Sequence, residues 1–299
     1  MKNIDINSII DLTAKLCMDA NYYLNKDIED ESRRCLTEEE SPVGKNVLES
    51  MIENARIARE EQVPICQDTG MAVVFFELGM DVHITGGDLG TSTEAHVGAA
   101  SEMRGSPLDE AINEGVRRGY EEGFLRKSVV KDPIDRKNTG DNTPAVIHYS
   151  IVSGDKIKIT VAPKGFGSEN MSALTMLTPA EGIGGIESFV INTVLTAGAN
   201  PCPPIIVGVG VGGTMEKCAL LSKKALLRPV NSANADAFWK GVENDLLLKI
   251  NALGIGPAGY GGRTTALGVH IETFATHIAG LPVAVNIGCH VTRHAEGII

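Results

Sequence analysis

The sequence holds no apolar run long enough to cross a bilayer. Its longest, residues 205–211, is broken by glycine, whereas a spanning helix needs roughly 20 apolar residues. Positive charge is also scarce: 27 Lys and Arg stand against 38 Asp and Glu, a net charge of -11. Nucleic-acid backbones and anionic membrane surfaces are bound by clustered cations, so neither is an expected partner. A few local arginines can still make a cationic pocket. The opening Met1-Lys2-Asn3-Ile4-Asp5 has no apolar segment of signal-peptide type, which makes a reducing cytoplasmic location the expectation. Internal repeats and low-complexity tracts are lacking too.

What is there is ordinary globular composition: 299 residues, 43% hydrophobic and 22% charged. That supports a sizeable core and argues against disorder. Residues 6–60 read as helical, with Ile9, Ile10, Ala14 and Cys17 on one stripe and Val47, Leu48, Met51, Ile52 and Ala55 on another. The acidic segment 27–40 reads as a solvated face and linker. Residues 72–78 have strand character, and Ser106-Pro107-Leu108-Asp109 is a helix start, with Ser as N-cap, for a helix running to Glu122. Segments 145–152 and 156–161 flank Ser153-Gly154-Asp155 and suggest a hairpin. Residues 164–170 read as a loop, and helices are expected at 180–197, 214–227 and 235–253 with a strand at 205–210. The fold class is therefore mixed α/β (α+β). A helical N-terminal region, about 1–62, is followed by a two-lobed α/β body, 63–299, with the cysteine loops converging between the lobes.

Six cysteines without a secretion signal point away from a disulfide framework. Cys17, Cys35 and Cys218 lie in helical patterns and read as small buried hydrophobes. Cys66, Cys202 and Cys289 are different, because proline and glycine surround them. They sit in Val63-Pro64-Ile65-Cys66-Gln67-Asp68-Thr69-Gly70, Asn200-Pro201-Cys202-Pro203-Pro204 and Gly288-Cys289-His290-Val291-Thr292-Arg293-His294. Such loops fix the direction of a thiol, as a metal ligand needs. Zinc sites draw on closely spaced pairs, and no two of these three are neighbours. By spacing alone, structural thiols, a zinc site and a cluster site all stay open.

Three further stretches carry both a plain and a chemical reading. Asp68-Thr69-Gly70 is good turn chemistry, and Asp68 is equally placed as a general acid. Gly208-Val209-Gly210-Val211-Gly212-Gly213 fits a dinucleotide-binding fingerprint, but no second strand bearing an acid follows at the needed distance. Close backbone packing is the better reading there. Lys164-Gly165-Phe166-Gly167-Ser168 is either a flexible turn or a set of N–H donors for a carboxylate.

In combination, Ile65-Cys66-Gln67-Asp68-Thr69-Gly70, Lys164-Gly165-Phe166-Gly167-Ser168-Glu169-Asn170, Asn200-Pro201-Cys202-Pro203-Pro204 and residues 254–295 are specific. The sequence resembles the alpha subunit, or N-terminal half, of class I iron–sulfur fumarate hydratases, whose relatives include L-tartrate dehydratase. The resemblance covers roughly residues 45–296. It implies a [4Fe-4S] cluster held by Cys66, Cys202 and Cys289, with one iron free of protein ligands and able to act as a Lewis acid. It further implies Asp68 and His277 as catalytic residues, and Gln67, Arg126 and Gly167 as substrate-binding residues, with Gly165 in reserve for Gly167. His290 and His294 are candidates to contact the cluster or substrate.

The family also brings arginines, a lysine and a catalytic threonine from a second domain, and those motifs are not found here. The expected partner is a beta subunit completing the active site on a dicarboxylate substrate, in a heterotetramer or with a homodimer of alpha. The expected reaction is reversible hydration of fumarate to malate. L-tartrate dehydration is the alternative, and a non-catalytic metal or iron–sulfur redox sensor is the rival of another class.

Overall fold

The computed structural model describes residues 2–86 and 107–299. In chain order its elements are β1 (Lys2–Asp5), α1 (Ile6–Tyr22), α2 (Lys26–Glu38), α3 (Pro42–Glu61), β2 (Met71–Gly79), β3 (Val82–Thr85) and α4 (Pro107–Glu122). There follow β4 (Val146–Val152), β5 (Ile157–Lys164), the short α5 (Phe166–Glu169), β6 (Ala173–Leu177), α6 (Gly182–Ala197) and β7 (Ile205–Gly212). The chain ends with α7 (Met215–Ala225), α8 (Ala237–Asn251), β8 (Ala266–Phe274), β9 (Leu281–Gly288) and β10 (Ala295–Ile298). This is a mixed α/β fold. Among the described residues no helix is long and apolar enough to cross a membrane.

The N-terminal helical region consists of three helices, α1, α2 and α3. Asp5 caps α1 by accepting from the Asn7 N–H at 2.8 Å, and the apolar stripe buries Ile9, Ile10, Ala14 and Cys17. The acidic segment is itself a helix, which corrects the linker reading. In α2 the acids alternate with bases at helical spacing, so Lys26–Asp30, Arg33–Glu29 and Arg34–Glu38 pair one turn apart. Ile28, Glu29, Ser32 and Cys35 form its buried face. The Pro107–Glu122 helix is as predicted, while its proposed cap Ser106 lies outside the described residues.

The chain divides into two compact units. The first comprises residues 1–23, 62–164 and 293–299. Its four-stranded sheet has the order β10-β5-β2-β4, beside a two-stranded β1-β3 pair. The predicted hairpin is absent: β2 lies between β4 and β5, parallel to the first and antiparallel to the second. A tight turn of the Ser-Gly-Asp type links strands that need not pair with each other; here β2, with Val73, Val74, Phe75 and Phe76 all buried, takes the centre. Helices α1 and α4 pack on each other, and α1 on β5, around Ile9, Leu16, Phe76, Ile112, Val116, Tyr120 and Ile159. Each such fully buried aliphatic or aromatic side chain contributes about 1.5–3 kcal/mol.

The second unit comprises residues 24–61 and 165–292. Its sheet has the order β6-β9-β7-β8, with β7 parallel to β8 and antiparallel to β9. Every residue of β7 is buried, as suits a central strand covered on both faces. Val207, Val209 and Val211 meet α6 and α8 through Val190, Val194, Leu246 and Ile250. The alternate residues, Gly208 and Gly210, face α7. A Cβ at Gly210 would fall 2.0 Å from the Cys218 carbonyl oxygen, and one at Gly208 2.2 Å from that of Ser222. The glycine run is thus a seat for α7 rather than a nucleotide loop. Ile28, Cys35 and Leu48 of α2 and α3 join Ile206, Leu226 and Leu267 in a smaller cluster, which brings these helices into the second unit.

Candidate active site

In the first unit the Cys66 loop is held from several sides. The Ile65 N–H donates to the Asn21 carbonyl at 2.9 Å. Thr69 is buried and its hydroxyl donates to the Arg126 carbonyl at 2.7 Å. The phenol of Tyr120, fully buried, donates to the carbonyls of Thr69 and Gly70 at 2.8 and 3.0 Å. Asn142 adds an amide to the Gly70 carbonyl at 3.2 Å. Within the loop, the Asp68 N–H points at the Cys66 sulfur at 3.4 Å, and the Gly70 N–H donates to the Asp68 carboxylate at 3.1 Å. The turn reading and the functional reading of Asp68 are therefore compatible, since its carboxylate makes an Asx turn beside the thiol.

The first unit thus gathers Cys66, Gln67, Asp68 and the Arg126 segment. Gln67 and Arg126 are exposed, and Cys66 and Asp68 half-buried. Arg293 is a participant that motif reasoning did not single out. Its buried guanidinium donates from Nη2 to the Asp68 carbonyl at 2.9 Å, and from Nε and Nη2 to Asn21 Oδ1 at 3.3 and 3.0 Å. Its position inside the last cysteine motif was the available signal. His294 is half-buried in the same unit.

In the second unit Cys202 and Cys289 come together at one end of the sheet. Cys202 lies just before β7, separated from it by Pro203 and Pro204, and Cys289 follows β9, whose Gly288 is in register with Ile206. His290 joins the two loops: its backbone N–H and its Nδ1 both bond the Cys202 carbonyl, at 3.3 and 3.0 Å. Because a carbonyl only accepts, Nδ1 carries the proton in this contact. Cys202 is exposed and adopts φ +56°, a left-handed conformation that costs a non-glycine residue about 1 kcal/mol or more.

Gly167 lies on the same side. A Cβ there would meet nothing closer than the Asn200 carbonyl at 3.9 Å, so the exposed α5 backbone stands open beside the Cys202 loop. Its neighbour Glu169 anchors the segment, accepting from Lys223 at 2.6 Å and Asn286 at 3.0 Å. Within the segment 164–170 predicted as a loop, Lys164 ends β5 and Phe166–Glu169 form the single helical turn α5.

His277 does not join these residues within its unit. It follows β8, whose Phe274 pairs with Gly212 at the far end of β7, and the adjacent Thr276 hydroxyl donates to the Gly213 carbonyl at 3.0 Å. The eight residues of β7 separate it from Cys202, a distance of roughly 26 Å at about 3.3 Å per residue. Strand direction, invisible in the local motif, carries His277 to the opposite end of this unit's sheet from Cys289.

The cysteines sort into two chemical classes. Cys17, Cys35 and Cys218 are buried, and burial pushes the Cys17 and Cys35 thiols up to about 12 and raises Cys218 as well. Metal ligation needs the thiolate, so these three are poor donors. Cys66, Cys202 and Cys289 are outside any disulfide and have surface access. Among the described residues no three His, Cys, Asp or Glu side chains form a ready-made metal cage. The fit to an iron–sulfur cluster therefore lies in donor chemistry, three accessible thiols on Pro- and Gly-bounded loops, which suits a cluster better than zinc pairs.

Comparison with known proteins agrees with this chemistry. The family profile for fumarate hydratase (Fumerase) matches residues 10–298. A protein of Methanocaldococcus jannaschii named "Putative L(+)-tartrate dehydratase subunit alpha" is 41% identical over 96% of this chain and 96% of its own length. The L(+)-tartrate dehydratase subunit alpha of Escherichia coli strain K12 is 30% identical over 98% of this chain and 91% of its own. With a family match across nearly its whole length, the chain belongs to the fumarate hydratase family and is a hydro-lyase.

Proposed function

We propose that this chain is the alpha subunit of an iron–sulfur hydro-lyase that reversibly adds water to fumarate, with its site completed by a beta subunit. The observation that carries the reading is the division of the thiols. In a chain matched by the fumarate hydratase family over residues 10–298, the accessible cysteines are the three on the motif loops. Cys66, Cys202 and Cys289 are the thiolate ligands of one [4Fe-4S] cluster. When bound, that cluster supplies a Lewis-acidic iron for the hydroxyl and a carboxylate of the substrate.

This chain's own part is binding and proton handling. Gln67, Arg126 and Gly167 take the substrate carboxylates, Arg126 by the two-pronged fit of a guanidinium and Gly167 by bare backbone. Asp68 handles a proton at its carboxyl, beside Cys66. The base at the substrate carbon comes from the beta subunit. The location is cytoplasmic, where thiols stay reduced.

L-tartrate is the second reading, favoured by the names of the relatives at 41% and 30% identity. The test is anaerobic reconstitution of the chain with iron and sulfide, followed by assay with and without the beta subunit on fumarate and on L-tartrate. A cluster with a labile iron, and hydro-lyase turnover only in the complex, are expected. Asp68→Asn is expected to keep the cluster and lose turnover. Zinc without sulfide, or a redox response that survives Asp68→Asn without turnover, overturns the reading in favour of a sensor.

A further inference from the structure

The second unit contains a buried carboxylate that the chemistry above does not use. Glu39 follows α2 and is 1% exposed. Its Oε1 accepts from the backbone N–H groups of Glu40, Ser41 and Arg263, each at 3.0 Å. Its Oε2 accepts from those of Arg263 and Thr264, also at 3.0 Å. A buried carboxylate is costly unless its lone pairs are filled, and here backbone dipoles from two segments fill them. Gly262 makes room: it has φ +126°, and a Cβ there would fall 2.6 Å from Oε1. Glu39 thereby clamps the end of the glycine-rich loop 254–265 to the corner between α2 and α3.

That loop is the seat of Cys202. The Ala258 N–H donates to the Pro203 carbonyl at 2.7 Å, and the Ile205 N–H to the Thr265 carbonyl at 2.9 Å. On the other side of the cysteine, a Cβ at Gly259 would fall 2.3 Å from the Ala199 Cβ. Inside the loop the Thr265 hydroxyl accepts from the Gly256 N–H at 3.2 Å. Cys202 sits between these anchors in its left-handed conformation. A residue in a sparsely populated conformation stays there only when its surroundings hold it.

We propose that Glu39 is a positioning residue for Cys202: by fixing residues 262–264 it fixes the loop on which the Cys202 turn rests, and so the direction of the thiol. The functional consequence rests on the hydro-lyase reading, in which Cys202 is a cluster ligand. The geometric claim does not, and the two are separable by experiment.

Glu39→Gln keeps the volume but turns one acceptor oxygen into an amide that faces N–H donors. In the metal-free full chain, alkylation by N-ethylmaleimide is followed residue by residue by mass spectrometry. The Cys202 rate relative to Cys66 is expected to change about three- to tenfold, the range that one net hydrogen bond sets, as the thiol loses its fixed direction. In the reconstituted chain, iron loss in air is expected to accelerate by a similar factor. An unchanged Cys202 to Cys66 ratio alongside a lowered melting temperature makes Glu39 a fold staple only and overturns the proposal. Should Glu39→Gln not fold, Thr265→Val, which removes only the hydroxyl inside the loop, must shift the same ratio in the same direction; no shift overturns it equally. If the ratio shifts but the unmutated chain binds no cluster, the hydro-lyase reading falls while the positioning role stands.

Discussion

Arg293 donates to the backbone carbonyl of Asp68 at 2.9 Å while also holding the side chain of Asn21. One guanidinium, 3% exposed, thus ties α1 to the segment that follows Cys66. Arginine suits this task because its planar fork reaches two acceptors at fixed angles, which a single ammonium does not.

Arg293→Lys should therefore keep the charge and lose the fork. Buried hydrogen bonds from charged donors are worth about 1.5–3 kcal/mol, so turnover in the complex with the beta subunit is expected to fall roughly 10- to 100-fold. Iron content should be retained. The check is kcat on the better of the two substrates beside an iron assay; wild-type kcat would show that the Asp68 carbonyl needs no such support.

Tyr120→Phe removes the phenol that serves both Thr69 and Gly70. Two buried carbonyls lose a donor, which costs about 1–3 kcal/mol. A lower midpoint in urea with an unchanged slope is expected; an unchanged midpoint would mean that another donor takes over.

The six thiols should split evenly on alkylation of the native, metal-free chain at pH 8. Cys66, Cys202 and Cys289 should react within minutes. Cys17, Cys35 and Cys218, buried and with raised pKa, should react only at the rate of unfolding. Peptide mapping reads the pattern. Rapid labelling of Cys218 would contradict the close seating of α7 on β7.

His270 predicts a pH dependence of stability. It is 1% exposed, its Nδ1 meets the Ala225 carbonyl at 3.2 Å, and Nε2 has no hydrogen-bond partner among the described residues. Burial, with the nearby Arg228 charge, lowers its pKa below the ordinary 6.5, against a smaller opposing effect of Glu243. Below that value the unfolded chain binds a proton that the folded chain refuses. Stability is therefore lost as pH falls from 6.5 towards the folded pKa, by at most about 1.4 kcal/mol per pH unit. His270→Gln should flatten this part of the profile, read as the difference between the two unfolding curves over pH 5 to 7. Parallel curves would remove His270 from the account.

Several elements and the division of the thiols into helical and loop cysteines are legible in the sequence alone. Helical stripes through Ile9 and Leu48, the strand at 72–78 and the buried β7 run were legible because apolar periodicity reports burial directly. The cysteine classes were legible because proline and glycine mark loops as surely as a stripe marks a core. Asp68 and the loop with Gly167 were likewise visible as local motifs.

Strand pairing, and which strand ends meet, emerge from long-range packing instead. Residues 153–155 look like a hairpin turn, yet β2 enters between β4 and β5, because pairing is a non-local choice made by burial of the whole strand. His277 stands near Cys289 in the chain, yet β9 carries the two to opposite ends of a sheet. Glu39 looked like one acid in a solvated run and is a buried clamp. Its role depends on N–H groups from residues 263 and 264, which no window of neighbouring sequence contains.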